Sequence, residues 1–272
     1  MFAKRQFAAP IAAMAAAGLA ALALAGCGGK SASSTSASGG ASESTEASAQ
    51  DYLAPPQVDT VRVGPGGVTL AGTAMAGGKV GLAMPAGQAM FSTVDAKGRW
   101  AIALPPATEA RIFRLAASAD SRQTEAEGYL LITPSGQAAL LRAGASAVRI
   151  DPAPRTGLLS VDFDRGGGME LAAQTAPGAT VIVRVDHRQI AESRADANGR
   201  YEASLSTPKQ PIPPGAHEIQ IFGDGFSDQA MVQVSPAAPL AQGPVRSQLT
   251  AAGLRVDWMT PGGGVQSTLL IH

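Results

Sequence analysis

The feature that most constrains this chain is that it repeats itself at a spacing of 101 residues. Asp95-Ala96-Lys97-Gly98-Arg99-Trp100 returns as Asp196-Ala197-Asn198-Gly199-Arg200-Tyr201, and Ala76-Gly77-Gly78-Lys79-Val80 returns as Pro177-Gly178-Ala179-Thr180-Val181. Two anchors in one register, without a gap, identify a folding module that is present twice. The glycine before each valine-rich run reads as a tight turn, with Gly77 or Gly178 free to take positive φ. The Asp-x-x-Gly-x-aromatic element reads as a hairpin turn, in which Asp95 or Asp196 caps the turn amides and the glycine takes the left-handed position. Trp100 and Tyr201 then begin a strand with a side chain large enough to cover a sandwich core.

The rest of the chain agrees with that reading. Apolar runs are short, often alternate, and are bounded by turn residues, as in Val68-Thr69-Leu70, Val80-Gly81-Leu82, Trp100-Ala101-Ile102 and Val181-Ile182-Val183. Period-two runs separated by turns every 8–12 residues are the pattern of an all-β sandwich. The best helical stretch, Gln137–Ala143, is too short to alter this. The part from Asp51 to His272 is long enough for one large or two small domains.

With these residues in hand, the chain resembles tandem bacterial immunoglobulin-like (Ig-like) modules. Their pattern is Gly-x-Ala-x-Pro-Gly-Ala-x-Val, then an Asp-x-x-Gly-x-Trp turn, then a strand leading to a Pro-Gly turn and a further strand. The second copy carries Ala176–Val181, Asp196–Tyr201, Pro214-Gly215 and Glu218–Phe222, and the first lacks the Pro-Gly before its Arg111–Ala116 strand. It is similar to the Ig-like module found beside LysM repeats in envelope proteins, although the chain shows no LysM repeat. The resemblance spans Val58–Pro134 and Leu158–Pro236. It implies a β-sandwich without catalytic residues, acting as a spacer, an adhesive element or an interaction surface.

A smaller echo lies at the C-terminus. Leu159-Ser160-Val161-Asp162-Phe163 with Gly166–Gly168 recurs as Leu254-Arg255-Val256-Asp257-Trp258 with Pro261–Gly264. It predicts a terminal hairpin resembling the start of a third copy. A lone hairpin is marginal in water, so this one must pack on the second module or bind a partner.

The N-terminus implies a compartment. Met1–Gln6 carries Lys4 and Arg5, Phe7–Gly26 is uncharged, and the run ends Leu24-Ala25-Gly26 before Cys27, the only cysteine. This is the lipobox pattern of a bacterial lipoprotein signal peptide: residues 1–26 are expected to be removed, and Cys27 to receive the lipid (a thioether diacylglycerol, then an N-acyl chain such as palmitate). That much acyl chain anchors stably. Gly28, in place of an aspartate, favours the outer membrane over the inner one. Residues 27–50 are small and polar, and read as a flexible tether reaching ~25 Å. The expected order is therefore signal peptide 1–26, lipidated tether 27–50, Ig-like module 51–150, Ig-like module 151–238, and linker with hairpin 239–272.

Chemistry is sparse. Formal charge is zero, and loss of Lys4 and Arg5 leaves the mature chain near −2, so nothing points to nucleic acid. Ser146 and Ser227 lack the second glycine of a nucleophile elbow. Gly29-Lys30-Ser31 has Leu24 where a phosphate loop needs glycine. His187, His217 and His272 lack ligand spacing and read as surface residues. Asp162 and Asp164 share a strand face, but calcium wants six or more oxygens, and a solvated strand edge accounts for them. No catalytic site, cofactor or metal is expected.

The most distinctive local feature is the Pro261-Gly262-Gly263-Gly264 loop, flanked by Trp258 and Met259. Two readings stay open. Trp258 is a core aromatic beside a plain turn, or these residues form a docking loop, since interfaces favour Trp and Met. The expected function is a non-catalytic, lipid-anchored envelope scaffold that docks a protein partner. The alternative is a peptidoglycan- or glycan-binding accessory lipoprotein, for which exposed aromatics are few.

Overall fold

Alternation along the strands decides the architecture. In Arg99–Leu104, for example, Trp100, Ile102 and Leu104 are buried while the residues between them are exposed. The computed structural model describes Leu53–His272, apart from residues 86, 151–155 and 208. The segments expected to be signal peptide and tether, and Cys27, the expected lipidation site, lie outside the described residues.

The first module contains β1 (Gln57–Gly64), β2 (Gly67–Thr73), β3 (Lys79–Ala83), β4 (Ala89–Thr93), β5 (Arg99–Leu104), β6 (Arg111–Ala119), β7 (Arg122–Ile132), β8 (Ala138–Leu141) and β9 (Val148–Arg149). They form a β1-β2-β5 sheet facing a β4-β3-β6-β7-β8-β9 sheet. The second contains β10 (Gly157–Asp164), β11 (Met169–Gln174), β12 (Thr180–Val185), β13 (Arg188–Arg194), β14 (Arg200–Ser204), β15 (Gly215–Gly223) and β16 (Phe226–Val234). The chain ends in β17 (Val245–Leu249), β18 (Gly253–Met259) and β19 (Val265–Ile271). Here a β13-β12-β15-β16 sheet faces a β14-β11-β10-β19-β18-β17 sheet. All pairings between these strands are antiparallel, and the protein is all-β.

The repeat is visible strand for strand. β2–β5 map onto β11–β14 in the register read from the sequence; β6 and β7 map onto β15 and β16 after the β14–β15 connection lengthens by three residues. The two sequence anchors are neighbours in space. Gly77 N donates to Val94 O (3.2 Å) and Val94 N to Gly78 O (2.9 Å), and Gly178 N donates to Asp196 O (3.2 Å) in the second copy. Each Asp Oδ1 accepts two turn amides, from Lys97 and Arg99 at Asp95 (2.8 and 2.9 Å) and from Asn198 and Arg200 at Asp196 (both 2.8 Å). Gly98 and Gly199 have φ of 76° and 77°. In one respect the expectation was wrong: the element is not a hairpin turn. It carries the chain from β4 or β13 in one sheet to β5 or β14 in the other.

Each sandwich has its own apolar core. Leu70, Leu82, Trp100, Phe113 and Leu130 fill the first; Val161, Leu171, Val183, Tyr201, Ile219 and Ile221 fill the second. Burying one such side chain is worth ~1.5–3 kcal/mol. Gln137–Ala143, the best helical stretch of the sequence, instead supplies buried strand β8.

The terminal hairpin is not an appendage. β19 is hydrogen-bonded between β10 and β18, so it completes the second module's sheet, and β17, unanticipated from sequence, adds a further strand. Its other face forms a third core. Leu254, Val256, Trp258 and Leu270 pack against Ala110, Ile112, Leu131, Ala139, Leu141 and Ala147 of the first module.

Candidate functional site

The candidate docking residues separate into two groups. Met259 is 43% exposed, and Pro261, Gly262, Gly263 and Gly264 are all at the surface. The loop closes on itself: Thr260 N donates to Gly264 O and Gly263 N to Thr260 O, both at 2.9 Å. Only Gly263, at φ 80°, needs glycine for its conformation. A Cβ at Gly262 would meet nothing within 4 Å.

Trp258 is different. It is 0% exposed, its Nε1 donates to Thr268 Oγ1 at 3.1 Å, and the Tyr129 ring meets it edge-on at 6.1 Å. Its side chain has no surface to offer a partner, so it leaves the docking set and belongs to the junction of the two modules. The loop reading is confined to Met259 and Pro261–Gly264.

Around Trp258 the junction is wired with polar groups. Asp162 is 1% exposed. Its carboxyl accepts from Ala147 N (2.8 Å), Gln266 Nε2 (3.3 Å), Ser160 Oγ (3.4 Å) and Thr268 Oγ1. Gln266 also takes Gly144 N (2.9 Å) and gives to Arg142 O (3.0 Å). Arg142 reaches Glu202 at 2.7 Å, and Arg149 donates to Ile271 O. Donors and acceptors therefore come from both modules. Burial pushes the Asp162 carboxyl up to about 6, against the opposing pull of the four donors. The expectation of a solvated edge fails here because the β10 face carrying Asp162 is covered by the first module. Asp164, at the strand end, is exposed and caps its own turn through Gly166 N (2.7 Å) and Gly168 N (3.0 Å). The two carboxylates do not converge, and no metal-binding cluster occurs among the described residues.

The C-terminal echo is placed face-inverted. On β10, Val161 and Phe163 enter the sandwich core and Asp162 faces the junction. On β18, Val256 and Trp258 face the junction and Asp257 points the other way. Asp257, 4% exposed, accepts from Arg255 Nε (2.8 Å), Ser267 Oγ (2.7 Å) and Arg246. Burial alone would raise it, but the Ser267 hydroxyl and the two guanidiniums outweigh burial and hold it below the usual carboxylate range. A charged residue flanked by large apolar ones at mid-strand was the sequence signal for both buried aspartates.

His217 is also not a surface residue. It is 8% exposed, with Nδ1 2.7 Å from Asp186 Oδ2 and Nε2 2.8 Å from Pro213 O. The ring lines a groove of about 620 Å³ with Ser204, Ser206 and Thr207. Both ring nitrogens already face acceptors, so neither is open to serve a hydroxyl as base. His187 and His272 are exposed.

No protein-family model matches the chain, and no curated protein is similar to it at a significant level. Among solved structures, one described as "Biofilm associated protein - BSP domain" is similar at 13% identity and a TM-score of 0.24; 68% of this chain is covered, and the chain spans 30% of that structure. Another, "Central Fibronectin-III array of RIM-binding protein", is similar at 9% identity and a TM-score of 0.24, with 80% of this chain and 89% of that one covered. Similarity at this level transfers no function.

Proposed function

We propose that this protein is a non-catalytic, lipid-anchored envelope scaffold, in which two Ig-like modules are fused into one body and held from the outer membrane by Cys27 and its tether. The observation that carries the reading is the third core. A chain of independent beads would expose Leu131, Leu141, Val256 and Trp258, yet all four are 0% exposed. Burying apolar faces of both modules in this way fixes their relative orientation, which a spacer or docking platform needs and a flexible linker does not supply. Exposed Met259 with Pro261–Gly264 is the face proposed for an envelope protein partner.

The glycan-binding alternative is less well supported. Carbohydrate stacking favours several exposed Trp or Tyr rings, but Trp100, Tyr201 and Trp258 are buried and Tyr129 is half-buried against Trp258, which leaves Phe91, 72% exposed on β4, as the strongly exposed ring among the described residues.

The test is fractionation and in-cell crosslinking of the full chain. The wild type should follow the outer membrane, Cys27→Ser should be released from it, and a stoichiometric protein partner should be lost when Pro261–Gly264 is replaced by an unrelated turn. Recovery of glycan strands alone would replace the scaffold reading. Membrane association unaffected by Cys27→Ser would remove the anchor.

A further inference from the structure

We propose that Asp162 is a proton-operated latch between the two modules, holding them together when its carboxyl is protonated and loosening the junction as it ionises. The inference deepens the scaffold reading but does not depend on a membrane or partner, because it concerns the folded body alone.

The geometry carries it. Asp162 lies on β10, on the face that the second module turns to the first. Its four hydrogen-bond donors are all uncharged, and one of them, Ala147 N, belongs to the β8–β9 loop of the opposite module. Ser160 Oγ spans the same gap, its one hydroxyl proton shared between Asp162 Oδ2 (3.4 Å) and Ala147 O (3.2 Å). The carboxyl is thus shared between modules and shut off from water. An ionised carboxylate buried without a cation is costly and its four donors offset only part of that cost, whereas a neutral one avoids it and can give its own proton to the Thr268 hydroxyl oxygen, which accepts as well as donates. When the junction opens, Asp162 regains water and ionises freely.

Among the described residues, the charged groups around it do not supply the missing cation. Across the strand pair, the residue opposite Asp162 is Glu170 on β11, a second acid on the same face. Glu170 is itself pushed up, by burial first and by Glu202 as a further cause. Arg142, from the β8–β9 loop, spends its guanidinium on Glu202 and Ser146. Arg149 on β9 donates to Ile271 O. β19 contributes only Gln266 and Thr268. Asp257 with Arg246 and Arg255 lies on the far face of β18, and Asp164 is exposed beyond the end of β10.

The sign follows from burial. The docked state holds the proton more tightly than the open state, with the carboxyl near 6 against an ordinary value of 3.8. The contribution of Asp162 to junction stability is therefore full below about pH 4 and is lost as pH rises through about 6. A shift of about two pH units corresponds to a roughly 100-fold change in the docking equilibrium.

The test uses the full chain with spin labels on Thr93→Cys and Ser193→Cys, one exposed site in each module. A narrow inter-label distance distribution is expected at pH 5 and a broader one at pH 8. Asp162→Asn, which stays neutral, should remain narrow at both pH values. Glu170→Gln should keep the wild-type response. If Asp162→Asn fails to fold, Ser160→Ala decides instead: losing a donor that favours the ionised form should move the transition to higher pH. A wild-type distribution equally narrow at both pH values, a response that survives in Asp162→Asn, or an unmoved transition in Ser160→Ala overturns the latch.

Discussion

The sandwich interiors and the module junction are both cores, but they are built on different terms. Inside each sandwich the core clusters are apolar, drawn from the inward-facing positions of that module's own strands and, in the second module, of β19 as well. The junction has an apolar centre at Trp258 and Leu131, ringed by Asp162, Gln266 and Thr268. Its partners come from opposite modules, whether near in sequence, as Ala147 and Asp162 are at a separation of 15 residues, or distant, as Gly144 and Gln266 are at 122. The interiors give each module its fold. The junction gives the pair a fixed geometry and makes that geometry sensitive to solution conditions.

The largest break in that comparison comes from Trp258→Ala. Removing a fully buried tryptophan costs ~3–5 kcal/mol, and the loss should fall on the junction. Urea titration should show the second-module hairpin and the first-module face separating while Trp100 remains in its native environment. Loss of the native Trp100 environment in the same transition would mean that Trp258 supports the sandwich itself.

A smaller effect separates the two turns that mark the second repeat. Gly199→Ala places a Cβ 2.0 Å from Thr175 O at φ +77°, whereas the same change at Gly178 meets nothing within 4 Å, at φ +70°. Left-handed backbone alone costs ~1–2 kcal/mol, so Gly178→Ala should lose about that much and Gly199→Ala distinctly more in thermal melts. Equal losses would mean that the turn relaxes around the added methyl.

The repeats also differ at their core aromatic. Trp100 Nε1 donates to Thr73 O at 3.1 Å, whereas no described residue hydrogen-bonds the buried Tyr201 Oη. Leaving a buried hydroxyl unpaired costs ~1–3 kcal/mol. Tyr201→Phe should therefore be neutral or stabilising by chemical denaturation, and a clear destabilisation would reveal a partner for the hydroxyl.

The smallest expected effect is at the loop. Gly262→Ala should leave stability within ~0.5 kcal/mol while changing partner capture under the scaffold reading. A large stability loss would make the loop structural.

The two buried aspartates should respond to pH in opposite senses. Asp257, held low by Ser267, Arg246 and Arg255, stabilises the fold above the ordinary carboxylate range and loses that contribution as pH falls into acid. Asp257→Asn should flatten the acid limb of the stability profile and leave the limb above pH 5 to Asp162.

Much of this fold could be read before any coordinates. Asp95 and Asp196 cap their turns, Gly98 and Gly199 take positive φ, and Trp100 and Tyr201 cover cores, because each depends on a few neighbouring residues. The inter-sheet role of that turn was not legible, since turn chemistry is the same whether the next strand pairs with the last one or crosses the sandwich. Asp162 read as a solvated edge, and Trp258 as either core or docking residue, for a related reason. Which face of a strand is covered depends on a surface contributed by another module, and alternation alone does not reveal it. His217 was missed because Asp186 and Pro213 approach it only through folding.

The chain has two tryptophans, Trp100 in the first sandwich and Trp258 in the junction. Trp258→Phe leaves fluorescence reporting the sandwich alone, and Trp100→Phe leaves it reporting the junction alone. Urea titrations of both variants at pH 5, with each midpoint corrected by far-ultraviolet circular dichroism on the same sample, test the fused body directly. Coincident fluorescence and backbone transitions in each variant are the result expected of one cooperative unit. A Trp258 signal that is lost well before the backbone unfolds would show two modules in contact but not joined, and would contradict the account.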